Sequence, residues 1–357
     1  MKIAYCPISE DLKAPGDYRR FMGFSLIEKI KFKVLKNSQL KYIYDGEFDF
    51  VVVTMGSDLS FWAKNQFKKT RIILDCVDSY IFLNNYKIKN FLRAPAKYII
   101  GQHSIFYINY INIIKIIANK SHYIVCSTQK QKNFFSKFCK NVSVILDYHL
   151  NFLHTVKSSF DLRKKNEFNL VWEGLPENIC HNVFADKIFD FINKYNSNTQ
   201  NTIKLNLNII TDLYYKRFMN KFLLKNSYNE LVKKSKYIKF KEWNKETINQ
   251  DIIVNDLAII PLSKNNPLEY GKPANKLYLF FKMGMPTITS NTYAYKEVEK
   301  NVNLKITFDD INQFSELLKF YLFKKKNREL YSEISNKYVT DKYPEAFLSK
   351  LWRNIFV

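Results

Sequence analysis

Glycine and proline are scarce in this chain, at 8 and 9 of 357 residues. That excludes collagen-like and low-complexity architectures. Cysteine is also sparse. Cys6, Cys76, Cys126, Cys139 and Cys180 are odd in number and form no CxxC pair. Three of them fall in apolar, strand-like runs, where cysteine acts as a small hydrophobe. The pattern fits neither a disulfide framework nor a zinc site, and predicts a reducing, cytoplasmic compartment. Long apolar runs are missing too. Residues 1–8 are too short for a secretory signal and are followed at once by Ser9, Glu10 and Asp11. Residues 98–117 alone approach membrane-span length, but contain Gln102, His103, Asn109, Asn112 and Lys115, and polar groups are expensive in hydrocarbon. We read that stretch as a buried or interfacial helix, with His103 a core histidine, and expect a soluble or peripheral protein.

Acidic residues are outnumbered, 33 against 56 Lys and Arg, for a net charge of +23. Such a surface suits phosphate-bearing substrates, an anionic membrane face or nucleic acid. Most of the basic residues are lysine, and Asn, Ile, Phe and Tyr are abundant as well. These are residues of A/T-rich codons, so composition supplies part of the excess. An anionic membrane surface fits the remainder, since each Lys or Arg near it is worth about 1 kcal/mol. Nucleic acid is not an expected partner: there is no zinc-finger spacing, no RNA-binding aromatic signature and no basic helix carrying heptads.

What is present is the balance of a folded protein, 46% apolar and 25% charged, in a chain long enough for two domains. Short β-branched runs over 2–8, 48–55, 71–76, 123–126 and 142–146 alternate with helical patterns over 18–30 and in a long stretch up to about 119. That alternation predicts a parallel sheet with crossover helices. The period lapses over 151–167, where Arg163, Lys164 and Lys165 make a charged patch, and we place a linker there. It resumes with strands over 168–172, 204–211, 238–241, 257–262, 287–290 and 304–308, and helices over 184–195, after 211, and over 274–283. The expected fold is α/β, with two tandem Rossmann-like domains, 1–150 and 168–310. A helical segment, 311–357, is expected to cross back and pack on both. Open α/β sheets bind ligands outside the carboxyl ends of their strands.

The segment from Glu269 to Ser290 carries the clearest chemistry. Pro273 suits a first helical turn and Gly284 the position after a helix end. The helix between them starts after a strand and its loop, so its free N–H groups and positive dipole end form a ready anion site. Gly271 and Lys272 precede it, and Asn275 and Lys276 stand in its first turn. A nucleotide diphosphate is the natural guest; a solvated cap with two surface lysines is the competing reading. In the first half, Gly16, Asp17, Arg19 and Arg20 follow the first strand, and the arginine pair is suited to bidentate grip of an acceptor phosphate. Asp75 and Asp78 end a buried strand at the same edge. A carboxylate there is suited to act as general base on an acceptor hydroxyl, or to orient a donor sugar; capping the next turn is the alternative. Asp309 and Asp310 follow a late strand and form no convincing metal pair.

The segment resembles the donor-site helix of bacterial GT-B glycosyltransferases, the glycogen-synthase-like group that builds capsule and lipopolysaccharide chains. Their pattern is approximately K-x-x-N-K-L-x-E-x-x-x-x-G-x-P-V-I-A-S with a P-A-Y-x-E-V continuation. Lys272, Asn275, Lys276, Leu277, Gly284, Pro286, Ile288 and Ser290 match, as do Ala294 to Val298. The run from Trp243 to Leu262, the Gly16-to-Phe21 loop and Cys126-Ser127-Thr128 agree in their places. The resemblance implies a transferase that moves a sugar from a nucleotide-sugar donor to a saccharide or lipid-linked acceptor, without a metal or cofactor. It implies donor phosphates on Lys272 and Lys276, with Asn275 and Gly271 beside them; the catalytic carboxylates we assign, from their place after the strands, are Asp78 and Asp17. Two departures stand out. The family's ribose-binding Glu is Leu279 in this chain, with Glu269 and Glu297 as displaced substitutes. After the first strand of the second domain the phosphate-binding Arg and Lys give way to Trp172-Glu173-Gly174, where Gly174 admits close backbone approach and Glu173 is a candidate for a sugar or ribose hydroxyl. A non-catalytic scaffold of the same fold, favoured by Leu279, and a nucleotide-sugar epimerase are the rival readings.

Overall fold

A computed structural model of the chain describes residues 1–77, 80–81, 87–148, 153, 155–162, 164–216, 222–263 and 265–357. The chain divides into two compact units. One comprises Met1–Leu150, Gly271–Pro273 and Tyr343–Val357; the other comprises Asn151–Tyr270 and Ala274–Lys342.

In the first unit the strands are β1 (Ile3–Cys6), β2 (Lys33–Val34), β3 (Phe50–Thr54), β4 (Arg71–Cys76), β5 (Tyr123–Cys126) and β6 (Val142–Val144). All pair in parallel, in the order β2-β1-β3-β4-β5-β6. The run Phe-Val-Val-Val-Thr of β3 is buried at every position, as an interior strand of a parallel sheet must be. The strand order reverses between β1 and β3, so the carboxyl ends of these two flank a crevice. The helix Glu345–Arg353 closes one face: Trp352 stacks on Phe24 at 5.8 Å, and Phe356 stacks on the same ring at 5.9 Å. Offset aromatic pairs of this kind add about 0.5–1.5 kcal/mol each beyond their buried area.

In the second unit the strands are β7 (Glu167–Glu173), β8 (Lys204–Thr211), β9 (Tyr214–Lys216), β10 (Phe222–Asn226), β11 (Ile238–Glu242), β12 (Leu257–Ile260), β13 (Thr287–Ser290) and β14 (Thr307–Phe308). β9 and β10 form an antiparallel hairpin of their own. The other six pair in parallel, in the order β11-β8-β7-β12-β13-β14. With the hairpin set aside, the strands run third, second, first, fourth, fifth, sixth. This is the doubly wound Rossmann order, and its switch point lies between β7 and β12. The helix Asn275–Lys282 is held from behind by the helix Lys325–Lys342: Asn336 Nδ2 donates to Lys282 O at 2.7 Å, and Tyr331 meets Phe281 edge-on at 5.7 Å.

Several expected elements differ. The helix expected over 18–30 is two, Pro15–Tyr18 and Phe21–Ile27, broken at Arg20 with φ −123° and ψ −113°. The break turns Arg20 inward. The long helix expected up to 119 is also two, Lys87–Ile99 and Tyr110–Lys120. Between them Gly101 takes φ +73°, a conformation that stops a helix, so 98–117 is no continuous helix. The helix expected directly after residue 211 is the β9–β10 hairpin, followed by the short helix Ser227–Leu231. Of the expected linker, residues 151, 152, 154 and 163 lie outside the described residues. Among the described residues no helix is long and apolar enough to cross a membrane.

Candidate functional site

At the carboxyl end of β7, Glu173 is buried and Gly174 takes φ +149°, which L side chains adopt only under strain. Thr211 Oγ1 donates to Gly174 O at 2.6 Å, fixing the turn to β8. Lys276, in the first turn of the helix Asn275–Lys282, reaches back to this turn. Its Nζ donates to Glu173 O, stands 3.7 Å from the Glu173 carboxylate and lies 4.9 Å from the Trp172 ring centre. A Cβ on Gly174 would fall 2.3 Å from that ammonium. The glycine is therefore what makes room for the lysine.

The start of this helix has no side-chain cap and no acidic residue in its first turn. A cation in a first turn opposes the helix dipole by about 0.3–1 kcal/mol. Local helix physics disfavours Lys276 where it stands, and a bound anion reverses the sign of both effects. Asn275 Oδ1, beside it, is buried and makes no hydrogen bond among the described residues. Gly271 and Lys272 belong to the stretch grouped with the first unit; Gly271 is buried and Lys272 half-buried. Leu279 is buried on the inner face of the helix, so no carboxylate occupies that position.

Glu269 is tied into its loop. Its Oε2 accepts from Ser263 N at 2.7 Å and Asn182 Nδ2 at 3.2 Å, and its Oε1 from Asn266 Nδ2 at 2.8 Å. Glu297 is exposed on the helix Tyr293–Val302. Asn182 went unnoticed in the sequence. It caps the helix Val183–Ser197 through Phe184 N and Ala185 N and donates to Pro261 O at 3.0 Å, tying the loops after β7 and β12 together at the switch point. An asparagine directly before a helical period is a cap signal.

In the first unit three of the expected site residues are buried and tied to neighbouring groups. Asp17 is fully buried, and its oxygens accept from Tyr5 Oη (2.6 Å), Ile8 N (2.6 Å), Ser9 N (3.1 Å) and Ser9 Oγ (3.2 Å). It organises the loop after β1. Arg20 and Asp75 are fully buried as well and bind each other: Arg20 Nε and Nη2 meet Asp75 Oδ1 at 2.9 and 2.7 Å. Arg20 Nη1 adds Ile145 O at 2.8 Å, Ser127 Oγ at 3.3 Å and Asp147 at 3.2 Å. Burial pulls the Arg20 pKa down, but the two carboxylates override it and raise it. Burial likewise pushes the Asp147 carboxyl above the usual range, against the pull of Arg20 and Arg19. Arg19 is half-buried, with its guanidinium 5.7 Å from the Tyr18 ring centre. Gly16 lies in the helix Pro15–Tyr18 against Ile8 and Val77. Asp78 lies outside the described residues.

His103 is buried in the loop between the two helices, stacked on Tyr110 at 6.1 Å, and neither ring nitrogen makes a hydrogen bond among the described residues. Burial and then Lys97 push its pKa down to about 4, against the pull of Asp58 and with a smaller push from Arg93. Elsewhere, a groove of about 390 Å³ opens on one face of the second sheet, lined by Lys164, Glu167, Asn169, Asn208, Lys239 and Asp251 among others. Its polar groups satisfy one another. Lys164 and Lys239 pair with Glu167, Lys241 with Asp251, and Asn208 with Asn255. Among the described residues no group of three His, Cys, Asp or Glu side chains is placed to hold a metal ion.

No protein-family model matches the chain, and comparison of its sequence with characterised proteins finds no match. Solved structures do match. WaaG, a glycosyltransferase involved in lipopolysaccharide biosynthesis, superposes with TM-score 0.64 at 12% identity, with 99% of each chain covered. HepE of Anabaena, solved with UDP, gives 0.62 at 11% identity, again with 99% of each chain covered. TarM of S. aureus gives 0.58 at 11% identity over 89% of this chain, which spans 57% of TarM's length. These are GT-B glycosyltransferases, and the chain has the GT-B fold.

Proposed function

We propose that the protein transfers a sugar from a nucleotide-sugar donor to a hydroxyl of a saccharide or lipid-linked acceptor in cell-surface polysaccharide assembly. In this reading it needs no metal and works in the cytoplasm, against the inner, anionic membrane face. The observation that carries the reading is Lys276. A lysine stands in an uncapped first turn, at the switch point of a doubly wound sheet, next to a glycine that leaves it room. The GT-B fold and the UDP held by HepE support the choice of a nucleotide diphosphate.

In this mechanism the free N–H groups of the helix start and the Lys276 ammonium stabilise the diphosphate as it leaves, in a site where they are already oriented. Lys272 and Asn275 add a charge and an amide to the same phosphates. Glu173 holds Lys276 until a phosphate competes for it, and the Glu173 carboxylate is then released toward a sugar or ribose hydroxyl. Asp78 is the carboxylate we assign as general base or sugar-orienting group, with Asp17 and Asp75 committed to the fold. Arg19 is the acceptor-side cation of this reading.

The test is thermal stabilisation by UDP, GDP, CDP and ADP, wild type beside Lys276→Ala. A nucleotide at a hundred times its Kd adds about 2.7 kcal/mol to folding. One nucleotide stabilising the wild type and failing on the variant supports the donor site and names the donor class; no response to any nucleotide sinks it. The buried Leu279, where a ribose-binding carboxylate is expected, favours a second reading: a scaffold that binds nucleotide without turnover. Release of free nucleotide from the matching nucleotide sugar separates the two. In the first reading Asp78→Asn abolishes that release while leaving nucleotide binding intact.

A further inference from the structure

We propose that Trp172 is a positioning residue of the donor site: its indole face holds the Lys276 ammonium within reach of a phosphate and short of a closed ion pair with Glu173. Side chains alternate along β7, so Phe168, Leu170 and Trp172 fall on one face. Trp172 is the last of them, 2% exposed, next to the carboxyl end of the strand. Lys276 reaches that end from the helix Asn275–Lys282, and its Nζ lies 4.9 Å from the ring centre.

The contacts of this ammonium are not those of an ordinary lysine beside a carboxylate. Nζ donates to the main-chain oxygen of Glu173, whereas Oε2 of the same residue stands at 3.7 Å, beyond hydrogen-bonding distance. The ammonium thus meets a neutral carbonyl and a neutral ring more closely than the charge next to them. Gly174 completes the seat. A Cβ there would fall 2.3 Å from Nζ and 3.2 Å from the indole ring, so any side chain at 174 would enter the space the two share.

That choice of partners decides how the lysine meets an anion. The face of an aromatic ring attracts a cation without neutralising it, and tryptophan does so most strongly. A closed Lys–Glu pair would first have to break, leaving a buried carboxylate uncompensated, before the lysine could take a phosphate. An ammonium seated on a ring keeps its charge and its direction, so less is lost in ordering it when the anion arrives. This role rests on the donor-site reading above, because Trp172 acts only through Lys276.

The experiment is isothermal titration of the full chain with inorganic pyrophosphate, which probes the phosphate seat without ribose or base. It compares wild type, Trp172→Leu, Trp172→Phe, Glu173→Gln and the double variant Trp172→Leu/Glu173→Gln, each with its ligand-free thermal midpoint. We expect Trp172→Leu to bind about tenfold more weakly, the equivalent of about 1.4 kcal/mol. Trp172→Phe keeps an aromatic face and is expected to lose only about threefold. Without the ring the ammonium closes on the Glu173 carboxylate. Glu173→Gln is therefore expected to bring the double variant to within about twofold of Glu173→Gln alone. A ring that only fills the core gives another pattern: thermal midpoints fall, while pyrophosphate affinity stays, or drops by a factor that Glu173→Gln does not change. Either result overturns the assignment. If Trp172→Leu does not fold, Trp172→Phe with and without Glu173→Gln carries the same comparison on its smaller scale. Wild type that binds neither pyrophosphate nor any nucleotide of the panel sinks the donor-site reading itself, and this role with it.

Discussion

The two sheets place charged residues at the same kind of edge and use them oppositely. At the carboxyl edge of the first sheet, Arg20 is enclosed by Asp75, Asp147, Ser127 and a main-chain carbonyl, and Asp17 by a tyrosine, a serine and two main-chain N–H groups. At the carboxyl edge of the second, Lys276 keeps 27% of its side chain exposed, with one carboxylate at the edge of ion-pair range and a glycine in front of it. Both edges read alike in the sequence, as charge after a strand. What separates them is burial: Arg20 and Asp17 are fully buried and Lys276 is not. A buried charge with a full set of partners is part of the scaffold, because removing one partner leaves the other uncompensated. Lys276 is about a quarter exposed, donates to Glu173 O and stands against a helix dipole, and it is there that we propose an anion competes for it.

The largest expected effect tests that contrast directly. Arg20→Met leaves Asp75 and Asp147 buried without their cation and is expected to destabilise the first unit by about 3–5 kcal/mol, read from chemical denaturation. Lys276→Met is expected to change stability by no more than about 1 kcal/mol while removing the nucleotide response. Comparable costs for the two substitutions would break the comparison, and a mild Arg20→Met would return that residue to the acceptor site.

A smaller effect sharpens the same edge. With a folded-state pKa of about 4 against an ordinary value of 6.5, His103 binds its proton more readily in the unfolded chain. Its contribution is fully present above about pH 6.5 and is lost as pH falls toward about 4. The loss amounts to about 3 kcal/mol at the acid end. His103→Phe, which keeps the ring against Tyr110, is expected to flatten the fall in denaturation midpoint between pH 6.5 and 4.5. Parallel pH profiles for the two proteins would show that His103 takes up its proton without disturbing the fold.

The fold was legible because parallel interior strands tend to write themselves as apolar, β-branched runs: β3, β4 and β12 are such runs, and β7 and β8 are runs broken only by asparagines. The hairpin β9–β10 and the two-residue β2 were not, since neither is buried on both faces and neither carries a period long enough to read. The helix Asn275–Lys282 was legible through Pro273 and Gly284, which punctuate it at both ends. The roles of Asp17, Arg20 and Asp75 were not. Burial of a charge depends on partners distant in sequence, and Asp147 lies 127 residues from the arginine it completes. The same distance hid Asn182, which joins Pro261 and Glu269 across about 80 residues. Local pattern gives the strand ends, and tertiary pairing decides which of their charges are buried.

The smallest expected effect concerns the glycine in front of Lys276. Gly174→Ala has two costs: backbone strain at φ +149°, about 1–3 kcal/mol, and the displacement of Lys276 Nζ from a position 2.3 Å from the new methyl group. Strain is independent of residue 276, whereas displacement requires the lysine. A double-mutant cycle with Lys276→Ala therefore divides the two, because strain cancels and only displacement survives as a coupling energy. The flexible lysine can swing aside, so we expect a coupling of about 0.5–1 kcal/mol in denaturation, together with loss of nucleotide stabilisation in Gly174→Ala alone. A coupling of zero with nucleotide binding retained would mean that Gly174 serves only its own turn. Lys276 would then owe its exposure to the helix start and not to the space left by a missing side chain.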